Sequence, residues 1–375
     1  MTAAALLSLG IWLGLLAFRN GFWLARDTDL APAPAPPRWP AVTAVIPARD
    51  EAAVISASLR SVLAQAYPGE LRVVLVDDHS TDGTAAIARD AAGDDPRLSI
   101  VPSRPLPAGW TGKLWAIDTG VHAAGATDWW WFTDADIAHA PDVLASLVAR
   151  GEGERLTLVS LMARLATDTA AERAIIPAFV LFFQMLYPFA RVNRPGGTAA
   201  AAGGCALVRA DAFARAGGMA AIAGRIIDDC ALGALMKRQG AIRLMLTRRS
   251  RSIRSYGGWR GVFDMIARSA YAQLGYSPLV LAGTIAALAL TFAGPPLAAL
   301  AGGGAARAAG LAAWGLMAVA ALPILRFYRQ SPLWALAMPA IGVFYGASTF
   351  WSAVRHNRGR GGMWKGRAQA GMGRA

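Results

Sequence analysis

Residues 129–137 read Trp, Trp, Trp, Phe, Thr, Asp, Ala, Asp, Ile, and such a run has few places in a fold other than the middle of a sheet. Four bulky apolar residues in succession predict a buried strand. Side chains two apart on a strand share a face, so Asp134 and Asp136 are expected to project together while Ala135 turns the other way. Two carboxylates at the mouth of a buried strand repel and are costly to desolvate, and a cation between them relieves both effects. A hard divalent ion suits the pair: Mg2+ or Mn2+, held by one or two carboxylates, with a phosphorylated substrate completing its shell. The plainer alternative is that Asp134 caps a loop ahead of a helix that starts after Pro141.

Composition points to a membrane. Of 375 residues 55% are hydrophobic, above the norm for soluble domains, and the formal net charge is +13. The last acidic residue is Asp264 while arginines continue to Arg374, so a basic chain end beside apolar spans suits anionic lipid headgroups. A nucleic-acid partner is not expected, because the basic patch carries no reading motif. Cys205 and Cys230 form neither a metal spacing nor a disulfide framework, in keeping with a cytosolic catalytic face.

Residues 1–25 read as an N-terminal transmembrane anchor. Arg19 and Arg26 come after the apolar run, whereas a cleaved signal peptide carries its positive charge ahead of the core. The positive-inside rule then puts the chain beyond the anchor in the cytoplasm. Residues 26–40 form a Pro/Ala linker, extended and semi-rigid. From residue 41 strands and helices alternate: a strand over 42–46 closed by Pro47, a helix over 51–65, a strand over 71–76. That alternation predicts an α/β domain with a mainly parallel sheet, whose ligands bind at the carboxyl ends of the strands. The first strand ends in Ala48, Arg49, Asp50 and Glu51; the second runs into Asp77, Asp78, His79, Ser80, Thr81, Asp82, Gly83 and Thr84. Turn and cap chemistry accounts for the Ser, Thr and Gly, whereas an ionised Asp78 at a strand end can accept from a base N–H.

Three motifs then occur in order: Pro47-x-x-Asp50-Glu51, Asp77-Asp78-x-Ser80 and Asp134-x-Asp136. They resemble the Pro-x-x-Asn-Glu, Asp-Asp-x-Ser and Asp-x-Asp signatures of the family 2 glycosyltransferases, with Asp50 in place of the usual Asn. The resemblance covers residues 42 to about 274, giving a catalytic domain over 41–274. It implies a GT-A (Rossmann-like) fold, a nucleotide-diphosphate sugar as donor, expected to be a UDP-sugar, and inversion of the anomeric centre. Pro47, Glu51, Asp77 and Asp78 would then bind the donor, Glu51 and Asp78 against the nucleoside, with Asp134 and Asp136 at the metal and diphosphate.

Gly109, Trp110, Thr111, Gly112, Lys113, Leu114, Trp115 and Ala116 lead into a helix over 114–124. Lys113 there either meets a phosphate or the base or is a solvated loop lysine. The pattern is similar to that of the membrane-bound carotenoid glycosyltransferases and the hopene-associated glycosyltransferases. The implied reaction is sugar transfer to a lipid hydroxyl, hopanoid or carotenoid, by a multi-pass protein of the inner membrane with its catalytic domain in the cytoplasm. A polyprenyl-phosphate acceptor, a polysaccharide product and a catalytically silent membrane scaffold are the alternatives.

Downstream, 144–149 reads as a helix and 157–161 as a strand, and the apolar stretch 174–190 is either an interfacial or a core helix. Residues 203–209 and the pair Gly217, Gly218 resemble the strand and turn ahead of the family's acceptor site, and Asp228, Asp229 matches its acidic pair. An inverting transfer needs one carboxylate to take the acceptor's proton. By resemblance Asp229 is that base and Asp228 its partner, although both also suit a helix N-cap. Of the family's Gln-x-x-Arg-Trp motif only Arg268 stands here, facing the diphosphate leaving group; the other arginines of 243–268 suit the membrane surface, or, for Arg248, Arg249 and Arg251, a solvated face. Residues 275–354 hold candidate spans at 279–300, 311–325 and 333–354, and Pro295 with Pro296 could make the first a re-entrant pair. Three crossings leave the basic tail 355–375 outside. Its six basic residues, and the likeness of Met363, Trp364, Lys365, Gly366 and Arg367 to the cytosolic tail motif of lipid glycosyltransferases, place it inside.

Overall fold

The computed structural model describes residues 1–359, 361–364, 367 and 368, with Met363, Trp364, Arg367 and Ala368 by backbone alone. Lys365 and Gly366 of the tail motif lie outside the described residues. The elements begin with α1 (Thr2–Phe18), β1 (Val42–Ala48), α2 (Ile55–Leu63), β2 (Leu71–Asp77), α3 (Thr84–Ala92) and β3 (Leu98–Pro102). Then come α4 (Gly112–Ala124), β4 (Trp129–Thr133), β5 (Ile137–His139), α5 (Val143–Gly153), β6 (Leu158–Arg164), α6 (Ala170–Leu186) and α7 (Phe189–Val192). The rest are β7 (Cys205–Arg209), α8 (Ala210–Arg215), α9 (Asp228–Lys237), β8 (Ile242–Ser252), α10 (Trp259–Gln273), α11 (Pro278–Leu288), α12 (Gly294–Ala301), α13 (Gly304–Phe327) and α14 (Met338–Asn357).

Two compact units result. One holds Asp27–Ala166 and Arg191–Arg254 and carries the sheet; the other holds Met1–Arg26, Thr167–Ala190 and Ser255–Gly362 and is helical. The division therefore departs from the expected 41–274 and 275–354 boundaries, since α6 and α10 go with the other apolar helices. The stretch read as an extended linker is also fastened at its start. Thr28 bridges Leu246 on β8, Leu246 N–H donates to Asp27 O at 2.8 Å, and Asp29 pairs with Arg249.

Among the described residues eight strands form one sheet, in the order β3-β2-β1-β4-β7-β6-β8-β5, and Met363–Trp364 pairs antiparallel with Arg367–Ala368 in a second. β3, β2, β1 and β4 are parallel, β7 runs against both β4 and β6, and β5 runs against β8. The sheet is thus mixed, parallel at one side and interrupted at β7. The chain winds from β1 out to β3 and returns on the other side of β1 at β4, which leaves a crevice at the carboxyl ends of β1 and β4. β1 is buried at every residue, as a central parallel strand should be. Pro47 lies inside it rather than closing it. Val42 N–H donates to Glu70 O on the β2 side, so alternation turns the nitrogen of Pro47 toward β4, past the last β1–β4 pair at Val45 and Phe132. Its missing N–H removes no ladder bond there.

His139 ties the short β5 into the sheet. Thr133 Oγ1 donates to Gly204 O at 3.1 Å, so the hydrogen-bond network assigns the imidazole proton to Nε2, which donates to Thr133 Oγ1 at 2.8 Å. Nδ1 then accepts from Ser250 Oγ at 2.8 Å. Burial holds this imidazole neutral, with its pKa lowered to about 3. His139→Ala should cost about 2–4 kcal/mol, from lost packing and from the two hydrogen bonds lost at Thr133 and Ser250. Chemical denaturation followed by tryptophan fluorescence measures it, since Trp131 lies 4.8 Å from the imidazole ring; a midpoint equal to the parent's would refute the role.

Among the described residues four helices are long and apolar enough to cross a membrane: Ala170–Val192, Pro278–Ala301, Gly304–Phe327 and Pro332–Asn357. α1 is shorter, at 17 residues. The span with two prolines is one continuous helix, not a re-entrant pair, because α11 passes through a π turn at Ala289–Ala293 into α12. The carbonyl of Thr291 would find its partner at residue 295 in an α-turn or 296 in a π-turn, and both are prolines without an N–H. The indole of Trp12 donates to it instead, at 3.0 Å. α10 packs on α14, with Tyr271 N–H donating to Ser352 Oγ at 3.0 Å and Arg355 paired with Asp264 at 2.5 Å.

Candidate active site

The site is assembled by two helix starts and three strand ends of the sheet-bearing unit. Thr111 caps α4, its hydroxyl accepting from Leu114 N–H at 3.4 Å. A Cβ on Gly120 would come within 2.5 Å of Val45 Cγ1 and 2.9 Å of Val76 Cγ2, so α4 rests directly on β1 and β2. That seating brings Lys113, in the first turn, to the strand ends. Its ammonium pairs with Asp134 Oδ1 at 2.8 Å and Asp228 Oδ2 at 3.1 Å. Burial by itself lowers the pKa of Lys113, but the charges of Asp134 and Asp228 overcome it and hold the lysine above its ordinary value.

Asp228 and Asp229 occupy the first turn of α9, where the helix dipole favours anions. One turn on, a Cβ at Gly233 would meet the Ala200 carbonyl carbon at 2.5 Å, so this helix too is pressed against backbone. Asp229 Oδ1 accepts from Cys230 N–H at 2.7 Å. Burial first, and then the charge of Asp228, push the Asp229 carboxyl up to about 6, against the opposing pull of Lys113.

Asp134, Ala135 and Asp136 are turn residues, not strand residues. β4 ends at Thr133, and Ile137 N–H donates to Asp134 O at 3.2 Å to close the turn into β5. Ala135 is buried while Asp134 and Asp136 are half-buried, so the expected division of faces holds through a turn in place of a pleat. The two carboxylates do not share one cation: Asp134 faces Lys113, whereas Asp136 Oδ2 accepts from Arg254 Nε at 2.9 Å. The same guanidinium pairs through Nη2 with Glu51. Nothing in the sequence sets Arg254 apart from the other six arginines of 243–268. The one usable signal is its place just past Ser252, which pairs with Ile137 beside the acidic turn.

The loops after β1 and β2 are laced together. Asp50, at φ 51°, accepts from Thr81 N–H at 2.8 Å; Glu51 N–H donates to Thr84 Oγ1 at 2.8 Å; Ala52 N–H donates to Asp82 Oδ2 at 3.0 Å. An aspartate suits the left-handed backbone that an asparagine favours, which accounts for Asp50 in the motif. Asp78 is buried and pairs with Arg49 at 3.5 Å, and Asp77 Oδ1 accepts from Ser80 N–H at 3.4 Å. Pro47, Lys113, Asp134, Gly203, Asp228 and Asp229 line a cleft of about 390 Å³ with its mouth included. Arg268 is exposed on α10 of the helical unit; the guanidinium that meets the acidic turn is Arg254.

Asp134 and Asp136 offer the hard oxygen ligands that Mg2+ and Mn2+ take. Among the described residues no set of three His, Cys, Asp or Glu converges on one point. The residues fit an ion that draws its remaining ligands from a bound diphosphate, rather than one caged by protein. Lys113→Met should raise the Asp229 carboxyl above about 6, because the cation that lowers it is gone. Carboxyl 13C chemical shifts of labelled aspartate across a pH titration report this; an unmoved or lower midpoint would contradict the coupling.

Residues 43–217 match the family described as Glycosyl transferase family 2. No curated sequence matches the chain significantly. Among solved structures, the mannosyltransferase PcManGT from Pyrobaculum calidifontis, in complex with GDP-Man and Mn2+, is 21% identical. That alignment covers 93% of this chain and 99% of that one at a TM-score of 0.52. Mannosyl-3-phosphoglycerate synthase from Rubrobacter xylanophilus is 18% identical, covering 63% of this chain and 75% of its own, at a TM-score of 0.38. Glucosyl-3-phosphoglycerate synthase of Mycobacterium tuberculosis is 20% identical, covering 58% and 74%, at 0.37. The first of these likenesses and the family match show a GT-A fold for the sheet-bearing unit.

Proposed function

We propose that this chain, whose family match and GT-A fold support a family 2 glycosyltransferase, transfers a sugar from a nucleotide diphosphate to the hydroxyl of a membrane lipid. The observation that carries the reading is the bridge made by Lys113. It joins Asp134, on the turn where a donor diphosphate belongs, to Asp228 beside Asp229, where an acceptor hydroxyl belongs, within one cleft at the strand ends.

In the proposed step the acceptor oxygen bonds to the anomeric carbon from the face opposite the diphosphate. The bond from that carbon to the diphosphate oxygen breaks, and Asp229 takes the hydroxyl proton. A carboxyl pushed to about 6 is a stronger base than an ordinary aspartate and is still mostly ionised near pH 7. Asp228 pairs with Lys113, and its charge raises the basicity of Asp229. Glu51 and Asp78, at the ends of β1 and β2, accept from the nucleoside, with Pro47 and Asp77 shaping the same wall. Asp134 and Asp136 would hold Mg2+ or Mn2+, which supplies charge neutralisation at the diphosphate when bound.

The acceptor reading is supported by the four helices long enough to span a bilayer. A catalytic unit tethered to a membrane meets lipid hydroxyls at high local concentration. Arginines 19 and 26 after α1 support a cytoplasmic catalytic unit at the inner membrane. The 109–116 pattern favours a hopanoid or carotenoid alcohol.

Incubating membranes with radiolabelled UDP- and GDP-sugars should give a labelled lipid identifiable by mass spectrometry; label confined to free sugar or polysaccharide would reject the lipid acceptor. Asp229→Asn should lower turnover about a hundredfold or more while donor dissociation stays near the parent's. A retained rate would place the base elsewhere. For the parent, kcat/KM should rise with pH through about 6 as Asp229 ionises, and a flat profile over pH 5 to 8 would reject it as the base.

A further inference from the structure

Arg254 holds a position that the proposed reaction needs vacant. Its guanidinium lies between Asp136, the carboxylate assigned to the metal, and Glu51, the carboxylate assigned to the nucleoside. Each carboxylate commits one oxygen to the same arginine, so each assigned contact competes with that pair. The backbone beside it is fixed, because Ile253 N–H donates to Asp136 O at 2.9 Å. The side chain is another matter: it is one-third exposed, and its long stem can swing about that anchored point. A guanidinium is also the planar fork that matches phosphate oxygens in pairs.

Resting on the reading of the cleft as a donor site, we propose that Arg254 is a resident cation that competes with the divalent metal for Asp136 and passes to the donor diphosphate when metal and donor bind. In the resting site it offsets the crowded carboxylates. With the metal bound, Asp136 and Glu51 would no longer need the guanidinium, and its planar fork would be available to the negative charge of the diphosphate. Metal and nucleotide then bind with positive coupling, because each removes what opposes the other. No bond changes in this exchange; only ion pairs are traded.

The pairs are partly exposed, so the competition is modest, about three- to tenfold in affinity. The test uses the purified full chain, with Mn2+ binding read by electron paramagnetic resonance and UDP and pyrophosphate binding by calorimetry. Without nucleotide, Arg254→Gln should bind Mn2+ about three- to tenfold more tightly than the parent. In the presence of Mn2+ it should bind both UDP and pyrophosphate more weakly by a similar factor. Arg254→Lys, which keeps a charge there, should restore Mn2+ affinity toward the parent's, a rescue that a purely structural arginine would not predict.

If the parent binds Mn2+ and UDP and Arg254→Gln binds Mn2+ no more tightly, the exchange is refuted while the donor site stands. If Arg254→Gln gains Mn2+ affinity but loses none for UDP or pyrophosphate, the transfer to the diphosphate is refuted. If neither protein binds Mn2+ or any diphosphate, the donor-site reading and the inference fall together.

Discussion

Crowded negative charge at the carboxyl ends of the strands is the constraint to which the rest of the site answers. Glu51, Asp134, Asp136, Asp228 and Asp229 gather around two side-chain cations, Lys113 and Arg254. Like charges about 4 Å apart cost roughly 4 kcal/mol at an effective dielectric near 20, so such a cluster persists only where the scaffold holds it. The glycine contacts of α4 on β1 and β2, and of α9 on residues 200–201, supply that hold. Part of the repulsion is relieved by proton affinity, since Asp229 is pushed up to about 6. Lys113 and Arg254, each paired with two of these carboxylates, offset part of the remainder.

The strands that reach this site were legible because their pattern is strong. β1, β2 and β4 are mainly apolar, broken only by Thr43 and Arg72 before their polar ends, which lead to Glu51, Asp78 and Asp134 in order. In the far half of the sheet the strands over 157–161 and 203–209 were read and stand as β6 and β7, whereas β5 and β8 were not. β5 has three residues and is held by His139 and by pairing with β8, neither of which leaves a local period in the sequence. Asp134 and Asp136 were found as a pair because burial alternates across them, yet a turn and a strand produce the same alternation over three residues. Arg254 was hidden for a different reason: its role depends on β8 lying beside β5, a long-range pairing that a run of arginines does not announce. The Asp228 and Asp229 pair was visible through its likeness to a family motif, whereas its bond to Asp134 through Lys113 required the fold.

The helical unit shows the complementary limit. Its spans were readable from length and hydrophobicity, but their shape is decided by a handful of polar groups that apolar surroundings oblige to find partners. The Thr291 carbonyl, deprived by two prolines, draws in the Trp12 indole and so fastens α1 to the π turn. Arg19 donates to the carbonyls of Met185 and Leu186 at 3.0 and 3.2 Å, closing the open end of α6. At the other end of α6, the buried Glu172 accepts from Asp168 N–H, Thr169 N–H, Ser255 Oγ and Tyr256 N–H. The segment at 255–256 is the stretch of chain directly after Arg254. Hydrophobicity is nearly uniform along these helices and cannot choose among their possible packings, whereas a stranded carbonyl or carboxylate accepts only a few geometries. The helices α6 and α10 belong with the spans, and not with the sheet they flank in sequence, because their polar ends find their partners there.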